Sequence, residues 1–283
     1  MTYAVTGATG HLGRLAVLAL LDRGVPATDV VAVVRDVAKA QPIAERGVQV
    51  RVASYDEPEA LVAAFAGVDR LLFVSGSEVG QRERQHRNVV EAAKAAGVSL
   101  IAYTSIARAD QNSMPLGVEH RATETLLRES GIPTVLLRNS WYLENYTGQL
   151  EQYLAAGAVI GATGDARIAA ALRADYAEAA AAALVDDVAP GEYELGGPAF
   201  TMAEFAAALS AAVGRELPYR DVSLAEFEAG LVAAGLDEGA AGFVTALERG
   251  AAAGELDVPV TDLERLLGRP ATDLTTAVKS LVG

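Results

Sequence analysis

The chain has 283 residues, 51% of them hydrophobic, which is enough for a large buried core. Its formal net charge of −14 at pH 7 argues against a nucleic-acid partner, because polyphosphate binding needs a basic surface. The sequence has no cysteine and only three histidines, so we expect no disulfide, no cysteine nucleophile and no metal site.

The start of the chain and its apolar runs bear on location. The first predicted strand begins at residue 4, which leaves no room for a signal peptide. No apolar run reaches the ~20 residues needed to cross a bilayer. We therefore expect a cytoplasmic protein that does not bind membranes.

Three glycines at a spacing of three residues follow the first predicted strand. Residues 4–6 form the strand, Gly7, Gly10 and Gly13 follow, and a helical pattern begins at Leu12. Such a turn directs free backbone N–H groups, at the positive end of the helix dipole, toward one spot. Gly7 permits the tight turn, Gly10 lets a pyrophosphate approach, and Gly13 lets the helix pack on the strand. The pattern predicts a dinucleotide-binding loop, with a plain glycine turn as the alternative.

Strands and helices then alternate as far as the sixth strand. Further strands are predicted at residues 30–34, 48–52, 70–75, 99–105 and 134–138. Helices are predicted at residues 58–65, 81–96 and 118–130. Apolar residues alternate with polar ones in 48–52, which indicates an edge strand or a strand with one wet face. These units predict an α/β fold, a Rossmann-type doubly wound parallel sheet with helices on both faces.

After residue 140 the pattern becomes mainly helical. We predict a helix at residues 175–185 and a short strand at 193–195, and Thr201 and Glu204 have the spacing of a capping box. We therefore assign residues 1–140 to an NADP-binding domain, to which a segment at about 166–197 returns. A smaller substrate lobe then comprises residues 141–165 and 198–283.

The end of the second strand bears on the choice of dinucleotide. NAD-binding proteins place an acidic residue there to bind the ribose, whereas this strand is followed by Arg35. A guanidinium can hold a 2′-phosphate, so we favour NADP, with NADPH preferred over NADH. Asp36 follows directly, and the alternative is that Arg35 is a solvated loop residue beside a ribose-binding Asp36.

Several motifs together resemble a known family. They are residues 6–13 (TGATGHLG), 34–36 (VRD), 75–82 (SGSEVGQR), 137–146 (LRNSWYLENY) and 192–198 (EYELGGP). The chain resembles the NmrA-like atypical short-chain dehydrogenases, and within them the type 2 NAD(P)H:quinone oxidoreductases, with triphenylmethane reductases as near relatives. The resemblance extends over nearly the whole chain and implies a monomer or homodimer that binds NADPH across the carboxyl ends of the strands.

The resemblance also implies roles for individual residues. The pyrophosphate would lie on the glycine loop, at Thr9, Gly10, His11 and Leu12, and the 2′-phosphate on Arg35. The rest of the cofactor would contact Ser75, Gly76, Thr104, Ser105 and Asn139, with Trp141 and Tyr142 bordering the nicotinamide. One departure concerns the adenine. The family usually has an acid near the position of Ser54, and here the nearby carboxylate is Asp56.

The catalytic pair of orthodox short-chain dehydrogenases is missing. No tyrosine of the chain has a lysine four residues later, and the corresponding positions hold Leu116 and His120. Ketone reduction makes a basic alkoxide and needs a positioned acid, which that tyrosine supplies. A quinone or a cationic dye is already electrophilic and needs mainly close placement without water. We therefore predict hydride transfer from NADPH to a small planar electrophilic acceptor, above all a quinone.

Four residues after the sixth strand are candidates for the acceptor site. Trp141, Tyr142 and Tyr146 would form a stacking wall, with their hydroxyls or Asn145 bonding a quinone oxygen. The alternative is that these aromatic side chains pack the joint between the lobes.

The histidines and Glu78 are the other polar candidates. His120 and Tyr142 are the candidate catalytic residues, and His120 would hold the ribose or supply a proton, unless it is a surface or helix-capping histidine. We predict that His86 is solvated and that Glu78 caps the helix after it, with a position at the mouth of the acceptor site as the alternative for Glu78.

Two other functions remain open at this point. One is reduction of another activated acceptor, such as a dye or an activated alkene. The other is a redox sensor that binds NADP without turnover, which the missing acid also fits. The physiological acceptor, the stereochemistry and the oligomeric state are not predicted by the sequence.

Overall fold

A computed structural model describes residues 1–186 and 188–283. Seven strands form one parallel sheet in the order β3-β2-β1-β4-β5-β6-β8. Their bounds are β1 Tyr3–Thr6, β2 Val30–Val34, β3 Gln49–Val52, β4 Arg70–Phe73, β5 Leu100–Ile106, β6 Thr134–Asn139 and β8 Gly191–Leu195. A separate parallel pair joins β7 Val159–Gly161 to β9 Tyr219–Asp221. The main sheet confirms the predicted doubly wound fold, and β3 lies at its edge as predicted.

The helices are, in chain order, α1 His11–Asp22, α2 Gln41–Ala44, α3 Pro58–Ala64, α4 Arg82–Ala96, α5 Pro115–Ser130, α6 Glu144–Thr147, α7 Leu150–Ala156, α8 Arg173–Val185, α9 Met202–Val213, α10 Leu224–Ala233, α11 Glu238–Ala252, α12 Thr261–Leu267 and α13 Leu274–Val282. Helices α1, α8 and α12 pack on one face of the main sheet, and α3, α4 and α5 pack on the other. Both faces are therefore covered, which explains why β2 consists of buried apolar residues alone.

Alanine determines how closely α8 approaches its neighbours. Six alanines of this helix are buried against the sheet and α1. Side chains this small let two helices and a sheet come into close contact without leaving voids. Helix α8 therefore lies in the layer that covers one face of the main sheet.

The remaining elements surround a second apolar core. This core contains Tyr146, Tyr153, Phe200, Phe205 and Leu209, and the strands β7 and β9 lie beside it. Helix α9 begins at the predicted capping box, in which Thr201 Oγ1 accepts from the N–H of Glu204 and the Glu204 carboxylate accepts from the N–H of Thr201.

Helix α12 packs against elements of the main sheet. It falls within the range 198–283 that we assigned to the substrate lobe, yet it packs on α8 and β8. Leu263, Leu266 and Leu267 bury their side chains in the core of the main sheet. The pair β7–β9 was not predicted, because each strand has only three residues.

Two kinds of feature are absent from the described structure. In its two described ranges, no helix has both the length and the apolarity required to span a bilayer. The same residues contain no group of three or more His, Asp or Glu side chains placed to hold a metal ion.

Candidate active site

A cavity of about 470 Å³ opens at the carboxyl ends of the strands. Strand order reverses between β1 and β4, and ligands of such sheets bind at that point. The described residues that line the cavity are Gly7, Thr9, Gly10, His11, Leu12, Gly13, Val33, Arg35, Lys39, Ala53, Ser54, Tyr55, Val74, Ser75, Gly76, Ser77, Glu78, Arg82, Gln85, Tyr142 and Arg173.

The glycine loop forms one wall of this cavity. Gly7 has a φ of +58°, a left-handed conformation that favours glycine. A Cβ on Gly13 would lie 2.3 Å from the carbonyl oxygen of Gly7, so only glycine allows α1 to begin this close to the turn. Among the described residues, no side chain caps α1 and no acidic residue lies in its first turn. Its N-terminal N–H groups are therefore suited to an anion.

The cavity is cationic although the protein as a whole is acidic. Arg35, Lys39, Arg82 and Arg173 line it, and Glu78 is the acidic residue among its described lining. Since the chain has a formal net charge of −14, this local excess of positive charge marks the cavity as the place for an anionic ligand.

Helix α4 holds the segment that follows β4. The N–H of Gly76 donates to His86 Nε2 at 2.9 Å, and Arg82 Nε donates to the carbonyl of Gly76. Arg82 also pairs with Glu119 of α5 at 3.1 Å, and Glu119 accepts from the N–H of Gly80. The cavity wall at Ser75 and Gly76 is thus fixed by side chains behind it.

The prediction that His86 is solvated is wrong. Its side chain is fully buried, packed edge-on against Phe73 and Tyr103. Burial and the charge of Arg82 lower its pKa to about 3. The ring is therefore neutral near pH 7, with Nε2 accepting from Gly76 and Nδ1 donating to Thr123.

Arg35 and Glu78 meet at the mouth of the cavity. Arg35 Nη1 lies 2.8 Å from Glu78 Oε1, and both side chains are exposed. The prediction that Glu78 caps α4 is wrong, because the N-cap is Gln81 and the described structure has no side-chain cap there.

At the same end, Ser54 and Tyr55 line the cavity. The Tyr55 hydroxyl lies 2.6 Å from both Thr6 Oγ1 and the carbonyl of Val74, which ties β3 to β1 and β4. Asp56 is paired with Arg84 at 2.6 Å. This arginine holds the pKa of the Asp56 carboxyl below its usual range.

The carboxyl ends of β5 and β6 support the other end of the cavity. Thr104 Oγ1 accepts from the N–H of Ser75 at 2.9 Å, and Ser105 donates to Glu124 at 2.6 Å. Asn139 donates to the hydroxyl of Tyr142 at 3.3 Å. Among the described residues, Asn139 Oδ1 is buried without a hydrogen-bond partner. Thr104 and Asn139 therefore contact residues of the cavity lining, whereas Ser105 bonds Glu124 outside it.

Tyr142 and Arg173 form the wall at this end. The Arg173 guanidinium lies 4.9 Å from the centre of the Tyr142 ring, a cation–π contact. Arg173 also donates to Asn145 Oδ1 at 2.6 Å and lies 3.9 Å from Glu144. Burial raises the pKa of Tyr142, so its hydroxyl stays protonated near pH 7.

Besides Thr104, Ser105 and Asn139, four further predicted site residues lie outside the described cavity lining. Trp141 packs against the second core, and Tyr146 lies within it against Phe205, the packing arrangement that was the alternative for these side chains. The Asn145 side chain is linked to the cavity lining through Arg173, which donates to its Oδ1.

The fourth is His120, which is buried rather than solvated or capping. Its Nδ1 shares a 2.7 Å hydrogen bond with the Tyr103 hydroxyl. Burial, Arg82 and His86 lower its pKa well below the ordinary value, so it is a neutral partner of Tyr103 rather than a proton donor.

The sequence reasoning missed several residues of the site. For His86 a signal existed: Arg82, Gln85, His86, Val89, Val90 and Ala93 recur at helical spacing, and all are buried. For Lys39 and Arg173 no local pattern distinguishes them from surface cations.

Comparisons with known proteins agree with this geometry. A family model described as NAD(P)H-binding matches residues 7–187. Quinone oxidoreductase 2 of Escherichia coli strain K12 is 46% identical over 280 residues, which cover 98% of each chain. The structure of an NADPH-dependent quinone oxidoreductase from Escherichia coli complexed with NADPH matches all of both chains at 45% identity, with a TM-score of 0.95. The Citrobacter sp. triphenylmethane reductase complexed with NADP(H) is 37% identical over 99% of this chain and 100% of that one, with a TM-score of 0.92.

Proposed function

The chain belongs to the NAD(P)H-binding family, and from this membership we propose that it is an NADPH-dependent oxidoreductase that reduces a quinone. The 46% identity to quinone oxidoreductase 2 over 98% of both chains is the observation that supports this activity most strongly. The likeness to the triphenylmethane reductase supports a planar electrophilic acceptor in general. The acidic composition supports a small-molecule partner rather than nucleic acid.

The cavity has the features that a bound dinucleotide phosphate requires. The glycine loop allows a pyrophosphate to approach the N-terminus of α1, where no described side chain caps the N–H groups. Arg35, with Lys39 beside it, would hold the 2′-phosphate, and Ser75 and Gly76 would contact the middle of the cofactor. The unpartnered Oδ1 of Asn139 is an acceptor at the nicotinamide end.

NADPH, when bound, supplies the hydride that reduces the acceptor. The acceptor would lie against the wall formed by Tyr142 and Arg173, since Tyr142 follows β6 and Arg35 follows β2, on opposite sides of the β1–β4 reversal. The protonated hydroxyl of Tyr142 can donate a hydrogen bond to a quinone oxygen, and the Arg173 cation favours the negative charge that develops there. No general acid of the tyrosine–lysine kind is required, since a reduced quinone is a weak base.

The function is tested by following NADPH oxidation spectrophotometrically with benzoquinone, menadione, a triphenylmethane dye and an unactivated ketone. We expect turnover with the quinones and none with the ketone. Turnover with the dye alone would instead assign the protein to dye reduction. NADPH binding without turnover on any acceptor would contradict the enzymatic proposal and favour a sensor.

Replacing Arg35 by alanine tests the assignment of the 2′-phosphate. We expect a loss of NADPH affinity of about 1–3 kcal/mol, because a charge-assisted contact is removed, and no comparable loss for NADH. Calorimetric titration of both nucleotides measures the difference. Equal losses for NADPH and NADH would contradict the assignment.

Tyr142→Phe, compared with Tyr146→Phe, tests the acceptor wall. Tyr142→Phe removes a hydroxyl from the cavity lining, and Tyr146→Phe removes one from the second apolar core. We expect Tyr142→Phe to lower kcat/KM for menadione about tenfold, the value of one hydrogen bond, while Tyr146→Phe leaves it unchanged. The NADPH dissociation constant should stay the same in both. An unchanged kcat/KM in Tyr142→Phe would exclude the hydroxyl from catalysis.

A further inference from the structure

A carboxylate lies beside the arginine to which we assign the 2′-phosphate. Glu78 Oε1 is 2.8 Å from Arg35 Nη1, and the Arg35 and Glu78 side chains are 69% and 46% exposed. The second oxygen, Glu78 Oε2, accepts from Gln85 Nε2 at 3.0 Å. Gln85 is buried, so it holds the carboxylate at the cavity mouth. Glu78 therefore has one fixed neutral partner and one exposed cationic partner.

Helix α4 does not require the charge of this carboxylate. The main-chain carbonyl of Glu78 accepts from the N–H of Gln81, the N-cap residue of α4, and Oε2 accepts from Gln85 of that helix, a bond that the amide oxygen of a glutamine at position 78 can also accept. Removal of the charge should leave the fold unchanged, since an exposed ion pair contributes little to stability. The contact between Glu78 and Arg35 is therefore expected to affect ligand binding rather than the stability of the fold.

We propose that Glu78 determines the cofactor preference by competing with the 2′-phosphate for Arg35, an inference that rests on the proposed binding of NADPH. A phosphate dianion can use the Arg35 fork fully only when the Glu78 carboxylate has left it, since the two anions repel each other. The 2′-hydroxyl of NADH meets no such repulsion and can donate to a carboxylate. Glu78 thus reduces the difference in affinity between NADPH and NADH that Arg35 creates, so that the protein can still use NADH.

Glu78→Gln tests this with ligands that need no turnover. Calorimetric titration with 2′,5′-ADP and 5′-ADP compares two probes that differ only in the 2′-phosphate. We expect the variant to bind 2′,5′-ADP about fivefold more tightly than the parent, the upper range for an exposed pair, and to bind 5′-ADP equally well. Glu83→Gln is the matched control, because it removes an exposed carboxylate that pairs with Arg87 on α4 outside the cavity lining.

The same titrations in an Arg35→Ala background complete the test. If Glu78 acts by occupying Arg35, the gain of Glu78→Gln disappears there. An unchanged affinity for 2′,5′-ADP in Glu78→Gln, an equal gain in Glu83→Gln, or a gain that persists without Arg35 overturns the proposal. The proposed activity fails separately. In that case the protein would not turn over quinones but would still bind 2′,5′-ADP and 5′-ADP with different affinities.

Discussion

Gly13→Ala is expected to weaken NADPH binding about 100-fold, equivalent to about 2.7 kcal/mol. The added methyl group would lie 2.3 Å from the carbonyl oxygen of Gly7 and 2.8 Å from its carbonyl carbon. Both are backbone atoms, so the strain cannot be relieved by a side-chain rotation. Either α1 moves away from the loop or the loop opens, and in both cases the N–H groups lose their common direction. Overpacking of this kind costs about 1–3 kcal/mol.

The control for Gly13→Ala is Gly230→Ala in α10. A Cβ at Gly230 has no atom of the described structure within 4 Å, and alanine favours the helix. Titration with NADPH, together with circular dichroism to verify folding, measures both variants. We expect Gly230→Ala to bind as the parent does. If Gly13→Ala also did so, the glycine loop would not be the pyrophosphate site.

Arg138→Met is expected to destabilise the protein by about 3–5 kcal/mol, because it leaves a buried carboxylate without its main partner. Arg138 donates twice to Glu124, through Nε at 3.0 Å and Nη2 at 2.8 Å. The two side chains are only 4% and 1% exposed. Methionine has a similar length but no charge, so the Glu124 carboxylate would be buried with one remaining cation, Arg128.

Arg128→Met is the matched control for this pair. Arg128 bonds the same Glu124 oxygen but is 48% exposed, and exposed pairs contribute about 0–1 kcal/mol. Urea unfolding followed by circular dichroism gives the free energy of unfolding of both variants. Similar small losses in the two would show that the buried pair is unimportant. In the double variant Glu124→Leu with Arg138→Met, much of the lost stability should return, because neither charge of this buried pair remains.

Local features of the sequence predicted the nucleotide-binding half well. The glycine loop, the apolar run of residues 30–34 and the capping box at Thr201 each depend on neighbours within a few residues. Their structures are therefore fixed by short-range sterics and hydrogen bonds. The alternation of strands and helices then predicted a parallel sheet with helices on both faces.

Features that depend on distant packing were not predictable in the same way. His120 lies on α5 among polar residues, and only the approach of Tyr103 from β5 shows that it is buried. Tyr142 and Tyr146 are four residues apart, yet one lines the cavity and the other joins the second core. Whether each side chain reaches the cavity or the second core depends on the path of the chain from β6 into α6. Arg173 reaches the site from a segment about 30 residues later in the sequence, where no motif identifies it.

The late return of the chain to the sheet has a consequence for folding. Strand β8 and helices α8 and α12 complete the layer around α1, although all three follow residue 170. A fragment that ends near residue 140 would expose the apolar face of α1 at Ala16, Val17 and Leu20 to water. During synthesis the nucleotide-binding layer therefore cannot close until α12 has left the ribosome. The core around α1 is thus completed only after most residues of the second core have been synthesised.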